Sequence, residues 1–205
     1  MDFIKKLLLA LAMIVAFQGI AQNNGNLQQI FKQSYTLETS GEYSDAIAKL
    51  KAIYDEDSYE INLRLGWLTY LSGNFTESLP YYRKCVQLRP LSIEARLGIV
   101  LPLSSIGNWT EVELHYRQIL ENDPANSLVN YRMGLLHYGR EDYQGAFHYF
   151  ELVVNHYPFD YDGAIMLAWT NFKLGKYREA KVLFNKVLLM QPDDESALEG
   201  LSLIK

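Results

Sequence analysis

The stretch Leu174–Pro192, "LGKYREAKVLFNKVLLMQP", decides how this chain folds. It sets Gly175 near its start, places Ala180 and Phe184 four residues apart, and stops at a proline. Counting back from Pro192 in steps of 34 lands on Pro158, Pro124 and Pro90, a register that chance does not produce. Gly175, Gly107 and Gly73 stand seventeen residues before their prolines. Phe75, Trp109, Tyr143 and Tyr177 keep the same step, and so do Tyr82, Tyr116, Phe150 and Phe184.

Each feature has a mechanical reading. Glycine turns the chain sharply between two helices. A small residue such as Ala146, Ala180 or Ser78 lets the helices approach, and the large ring four residues on fills the space beside the crossing. Proline cannot continue a helix and ends the unit. Leu65-Gly66 and Met133-Gly134 put a matching large and small pair on the first helix. Each unit of 34 residues therefore reads as two antiparallel helices.

Length, spacing and residue types together resemble the tetratricopeptide repeat family. The resemblance implies an all-α fold, a right-handed α-solenoid of about five helix-turn-helix units plus a C-terminal capping helix. The units run 27–58, 59–92, 93–126, 127–160 and 161–194, with the capping helix at 195–205 behind Asp193-Asp194. The first unit keeps Gly41, Tyr43, Ala46 and Leu50 but is about two residues short and lacks the closing proline. Two departures carry expectations. Pro102 lies inside a first helix, where a kink near Leu101 is expected. Glu141 stands where the other turns have glycine, with Gly139 two residues earlier, so a differently shaped turn is expected there.

Residues 1–21 differ from the rest. Lys5 and Lys6 precede an apolar run of 11 residues, Leu7–Phe17, and Gly19-Ile20-Ala21 supplies small residues for cleavage before Gln22. This is the pattern of a secretory signal peptide, followed by a short linker at 22–26. The run falls short of the ~20 residues that span a bilayer, so membrane contact is expected only through this segment if it is uncleaved. No cysteine lies near the junction for lipid attachment. The start Gln22-Asn23-Asn24 resembles exported proteins of diderm bacteria, which points to the periplasm or cell envelope.

Removing Asp2, Lys5 and Lys6 from 24 acidic and 19 basic residues leaves 23 and 17, a net of -6. Without clustered positive charge, nucleic acid is not an expected partner. Cys85 is the only cysteine and has no internal disulfide partner; at a helix position where small residues prevail, it reads as a buried filler. His115, His137, His148 and His156 have no metal-ligand spacing, and phosphate loops and nucleophile elbows are absent. No cofactor, metal or catalytic residue is assigned, and the chain reads as a non-enzyme.

In a tetratricopeptide array the first helices line the concave surface. The register implied by the resemblance places Phe31, Tyr35, Leu63, Trp67, Tyr70, Leu97, Tyr131, Tyr138, Trp169 and Phe172 there, joined by Glu38, Glu60, Glu94, Leu101, Ser104, Leu128, Leu135, Asp162 and Ile165. Lys32, Arg64 and Arg132 are placed at its flanks. A face this aromatic fits an extended or helical segment of another protein. The alternative is a carbohydrate stacked on Trp67, Tyr131 and Trp169, which needs convergent polar groups that this face supplies sparsely. The lysine and asparagine clamp that some family members close on a C-terminal carboxylate has no counterpart, since Phe31 and Tyr35 occupy the matching positions.

Overall fold

The computed structural model describes residues 25–204; residues 1–21, where a signal peptide is expected, lie outside the described residues. Among the described residues the regular structure is entirely helical. Helix α1 occupies residues 25–39, so its described part begins inside the segment assigned to the linker. It is followed by α2 (Tyr43–Lys51), α3 (Tyr59–Leu71), α4 (Phe75–Leu88), α5 (Ile93–Ser105) and α6 (Trp109–Asn122). Then come α7 (Ser127–Gly139), α8 (Tyr143–His156), α9 (Tyr161–Lys173), α10 (Tyr177–Met190) and α11 (Glu195–Leu203).

The chain divides into two compact units between Trp109 and Thr110. In the first, α2 packs on α3, α3 on α4, and α5 on both α3 and α4. In the second, α7 packs on α8, α8 on α9, α9 on α10, and α11 on both α9 and α10.

The helix boundaries follow from local chemistry at the repeat step. Ser58, Ser92, Asn126, Asp160 and Asp194 are the caps of α3, α5, α7, α9 and α11, and each side chain accepts from the backbone N–H three residues on. These oxygens satisfy donors that the first turn of a helix cannot pair internally. Pro90, Pro124, Pro158 and Pro192 each stand two residues beyond the end of α4, α6, α8 and α10.

The turn at Glu141 corrects the expectation of a different shape. Glu141 takes φ 61°, beside 77°, 81°, 76° and 74° at Gly41, Gly73, Gly107 and Gly175. The backbone bonds match as well. The Gly73 N–H donates to the Tyr70 carbonyl at 2.9 Å and the Asn74 N–H to that of Thr69 at 3.1 Å. The Glu141 N–H donates to Tyr138 at 3.0 Å and the Asp142 N–H to His137 at 3.0 Å. The peptide hydrogen bonds dictate the turn, and Glu141 accepts the left-handed conformation they require. Asp142 then caps α8; the Gly145 N–H and the His137 ring hold its carboxyl below the usual range. Helix α5 continues through Pro102 to Ser105.

The core repeats one contact. Tyr82, Phe150 and Phe184 are buried, each four residues after a fully buried Ser78, Ala146 or Ala180. Gly66 and Gly134 lie so close to these rings that an added Cβ would stand 3.0 Å from Tyr82 and 2.5 Å from Phe150. Gly98 of α5 meets the other side of Tyr82 more closely still, with the ring edge inside the volume a methyl group would need. Cys85 is buried, its thiol donates to the Tyr59 carbonyl at 3.5 Å, and burial pushes its pKa up to about 12.

Three substitutions test the turn and the core contact. Glu141→Gly is expected to raise the unfolding free energy by about 1 kcal/mol by relieving the left-handed strain, whereas Gly175→Ala should lose a similar amount. Urea midpoints at unchanged slope measure both, and no gain in Glu141→Gly would refute the strain. Gly98→Ala should cost about 1–3 kcal/mol, because Tyr82 has to shift in a filled core; a neutral result would show that the ring has room to move.

Candidate interaction site

On α1, Leu27, Phe31 and Tyr35 recur every four residues and so share one helical face. That face opens into a depression of ≈ 680 Å³ lined by Leu27, Gln28, Phe31, Lys32, Tyr35, Thr36, Thr39 and, from α3, Glu60. The volume is within the range of small-ligand sites. Phe31 turns its inner side to the cluster of Ala46, Leu50, Ile61, Leu65 and Leu68, while Tyr35 is 54% exposed.

What holds Tyr35 is underneath it. The Arg64 guanidinium lies 3.9 Å from the ring centroid, donates through Nε to Ser34 Oγ at 3.0 Å, and pairs through Nη1 with Glu38. Glu38 also accepts the Trp67 indole N–H at 2.7 Å. Arg64 is only 6% exposed, so it is a buried tie between α1 and α3 and not the flanking cation expected from the sequence. A guanidinium can take this place because its flat face stacks on a ring while its edge donates to oxygens in plane.

Further along α3, the rings of Trp67 and Tyr70 lie 5.9 Å apart, and Tyr70 meets Phe75 at 5.5 Å. Leu63 packs on the cluster of Tyr59, Cys85 and Ala95. Leu97 of α5 is half-buried, and Leu101 is exposed. The acidic groups of this face are engaged. Glu60 pairs with Arg89 at 3.2 Å, and Glu94 accepts from the Tyr59 hydroxyl at 3.1 Å.

In the second unit the predicted residues form another group. Tyr131 lies against Phe150 at 5.8 Å, and Tyr138 against Tyr143 at 5.3 Å. Trp169 contacts Phe172 at 5.6 Å and the core ring Phe184 at 5.1 Å, and its indole N–H donates to Ser196 Oγ at 2.8 Å. Phe172 leans on Tyr177 at 5.4 Å. Ile165 is only 8% exposed and belongs to the core, whereas Leu128 is 48% exposed. Arg132 is exposed. Tyr131, Tyr138, Trp169 and Phe172 are thus engaged in packing and keep only part of their surface exposed.

The sequence did not single out Leu27, Gln28, Thr36 and Thr39 as lining; it placed Glu38 on this face and Arg64 at its flank, but not the tie that joins them with Ser34. The four-residue spacing of Leu27 to Phe31 and Tyr35 was the available signal. Among the described residues no group of three or more His, Cys, Asp or Glu side chains is placed to hold a metal ion. His137 meets Asp142 at 2.6 Å and His156 the Leu152 carbonyl at 2.8 Å, both local ties. The arrangement offers apolar surface and aromatic edges.

Comparison with known proteins bears on the family. The model described as "EMC2 TPR-like repeat domain" matches residues 81–198, and that described as "Tetratricopeptide repeat" matches residues 31–93. No curated protein matches the chain. Among solved structures, a tetratricopeptide repeat protein from Parabacteroides merdae ATCC 43184 is similar at a TM-score of 0.73 and 20% identity, over 85% of this chain and 70% of that one. MamA 41-end from Desulfovibrio magneticus RS-1 is similar at 0.69 and 18% identity, over 82% of this chain and 98% of that one. YrrB, "a TPR protein with an unusual peptide-binding site", is similar at 0.67 and 14% identity, over 85% and 91%. At these identities the structural likeness speaks for the fold, and the family models cover more than half of the sequence. The chain belongs to the tetratricopeptide repeat family.

Proposed function

We propose that this chain is a non-catalytic interaction module that takes an extended or helical segment of another protein on the apolar faces of its first helices. The observation that carries this reading is the depression on α1, where the outer face of Tyr35 is open and its inner face is stacked on a buried Arg64. A ring fixed in this way loses little freedom when a partner covers it, and aromatic anchors contribute most of the energy at interfaces. YrrB, described as having a peptide-binding site, is a precedent in a similar fold. The leader pattern of residues 1–21 supports export to the periplasm or cell envelope of a diderm bacterium as the setting.

A photo-crosslinking residue at Thr36, tested in intact envelopes, is expected to trap a defined polypeptide, while the same residue at Glu179 on α10 traps none. With that polypeptide purified, Tyr35→Ala should weaken binding about tenfold or more, roughly 1.4 kcal/mol, with helicity unchanged. Identical adducts from both positions, or full binding by Tyr35→Ala, would count against this site. The export reading predicts that the mature protein in the periplasmic fraction starts at Gln22; recovery of an intact Met1 from the cytoplasm would overturn it.

A further inference from the structure

On the protein-binding reading of the α1 depression, on which this rests, we propose that the docked segment is acidic. Its apolar side chains fill the depression, a glutamate or aspartate one turn away pairs with Lys32, and Lys32 is thereby the residue that selects among apolar segments. Two neighbouring rows of α1 side chains, each at steps of four, supply most of the lining. Leu27, Phe31 and Tyr35 make the apolar row, and Gln28, Lys32 and Thr36 run beside it. The hydroxyl of Thr36 donates to the Lys32 carbonyl at 3.1 Å, and that of Thr39 to the Tyr35 carbonyl at 2.9 Å, so both spend their protons inside the helix.

The charges around the depression are matched with one exception. Glu60, on the α3 side, pairs with Arg89 at 3.2 Å, and Arg64, behind Tyr35, pairs with Glu38. Lys32 is exposed, and its neighbours one turn away on α1 are Gln28, Gln29, Tyr35 and Thr36, none of them acidic. Among the described residues no carboxylate pairs with it. The depression therefore carries an uncompensated positive charge on a chain whose formal net charge is -5. An apolar or basic segment laid over this site would strip water from the ammonium or repel it, whereas a carboxylate at that place replaces the lost hydration. The acidic remainder of the chain repels the same carboxylate elsewhere, so the charge that draws the segment in also fixes its register along α1.

The probes are two fluorescein-labelled designed helical peptides, amidated at the C-terminus, with the same stripe of leucine and phenylalanine. One carries glutamates along an edge of the stripe and the other lysines; each is titrated with the full chain at low salt and followed by anisotropy. The glutamate peptide is expected to bind saturably and about fivefold more tightly than the lysine peptide, with the gap closing at high salt. Lys32→Gln should remove the preference and Lys32→Glu reverse it. Lys181→Glu, at an exposed position of α10, changes the net charge by as much as Lys32→Glu and should leave the preference in place. Equal binding of the two peptides, or a preference that survives Lys32→Glu, overturns the inference; if Tyr35→Ala still weakens both peptides, the α1 site itself stands. Loss of the preference in Lys181→Glu would assign it to overall charge and overturn the role of Lys32. A glutamate peptide that binds only with a free C-terminus would overturn the assignment to an acidic side chain. If neither peptide binds, an apolar stripe edged with acid is not what the site selects and the inference falls, while the adducts at Thr36 judge the α1 site separately.

Discussion

The ring of Tyr82 lies between two glycines, Gly66 on α3 and Gly98 on α5, and the first unit is organised around that contact. Only residues without a side chain let three helices converge on one aromatic side chain at this distance. The consequence reaches beyond packing. Because the small positions of the first helix must point at the ring, the residues turned away from it by the helical step, such as Leu63, Trp67 and Tyr70, are left to face elsewhere. Folding therefore determines which side of each first helix is free to meet a partner. The 34-residue repeat fixes that division because every copy must solve the same steric problem.

Polar ties between neighbouring first helices make those free sides rigid. In the first unit, Arg64 and Trp67 converge on Glu38, and the Tyr59 hydroxyl meets the Ser92 hydroxyl, the cap of α5, at 2.8 Å. In the second, the Tyr161 hydroxyl donates to Asp194, the cap of α11, at 2.7 Å, and Trp169 donates to Ser196. Tyr59 and Tyr161 hold equivalent positions, so one tie is built twice with serine in one place and aspartate in the other. In both, the hydroxyl of the opening residue of a first helix reaches the cap of the next. Such bonds contribute modestly to stability. Their larger effect is to fix the spacing of the helices, which lowers the ordering cost when a partner binds.

The family and the helix order were legible because glycine turns, proline stops and ring positions recur as nearly the same letters. What was illegible shares a different physical character. The caps at Ser58, Ser92, Asn126 and Asp160 keep the step but differ in identity, since any short oxygen-bearing side chain can accept from the first turn; only that of the last helix, at Asp193-Asp194, was read from the sequence. The Glu141 turn misled because hydrogen bonds, not the residue, specify its shape. Arg64 was misplaced because its oxygen partners Ser34 and Glu38 lie in the unit that is two residues out of register. The half-burial of Trp169 depends on Phe184 and Ser196, neither of which belongs to its own helix. Repetition reveals what every unit shares. A site is made of what one unit does differently, and so it has to be read from contacts.

The two tryptophans show how those contacts bear on partner chemistry. Trp67 gives its indole N–H to the preceding first helix, at Glu38 of α1, and Trp169 gives its own to the following one, at Ser196 of α11. In both cases the polar edge is consumed inside the protein and the carbon edge is what remains to be covered. Glu60 and Glu94 are likewise occupied, by Arg89 and by Tyr59. A sugar requires rings and convergent hydrogen-bonding groups together, because its hydroxyls must exchange water for protein partners. A peptide helix satisfies its own backbone and asks of the surface mainly apolar area and shape. A face whose indole N–H groups and glutamates are already paired meets the second demand better than the first.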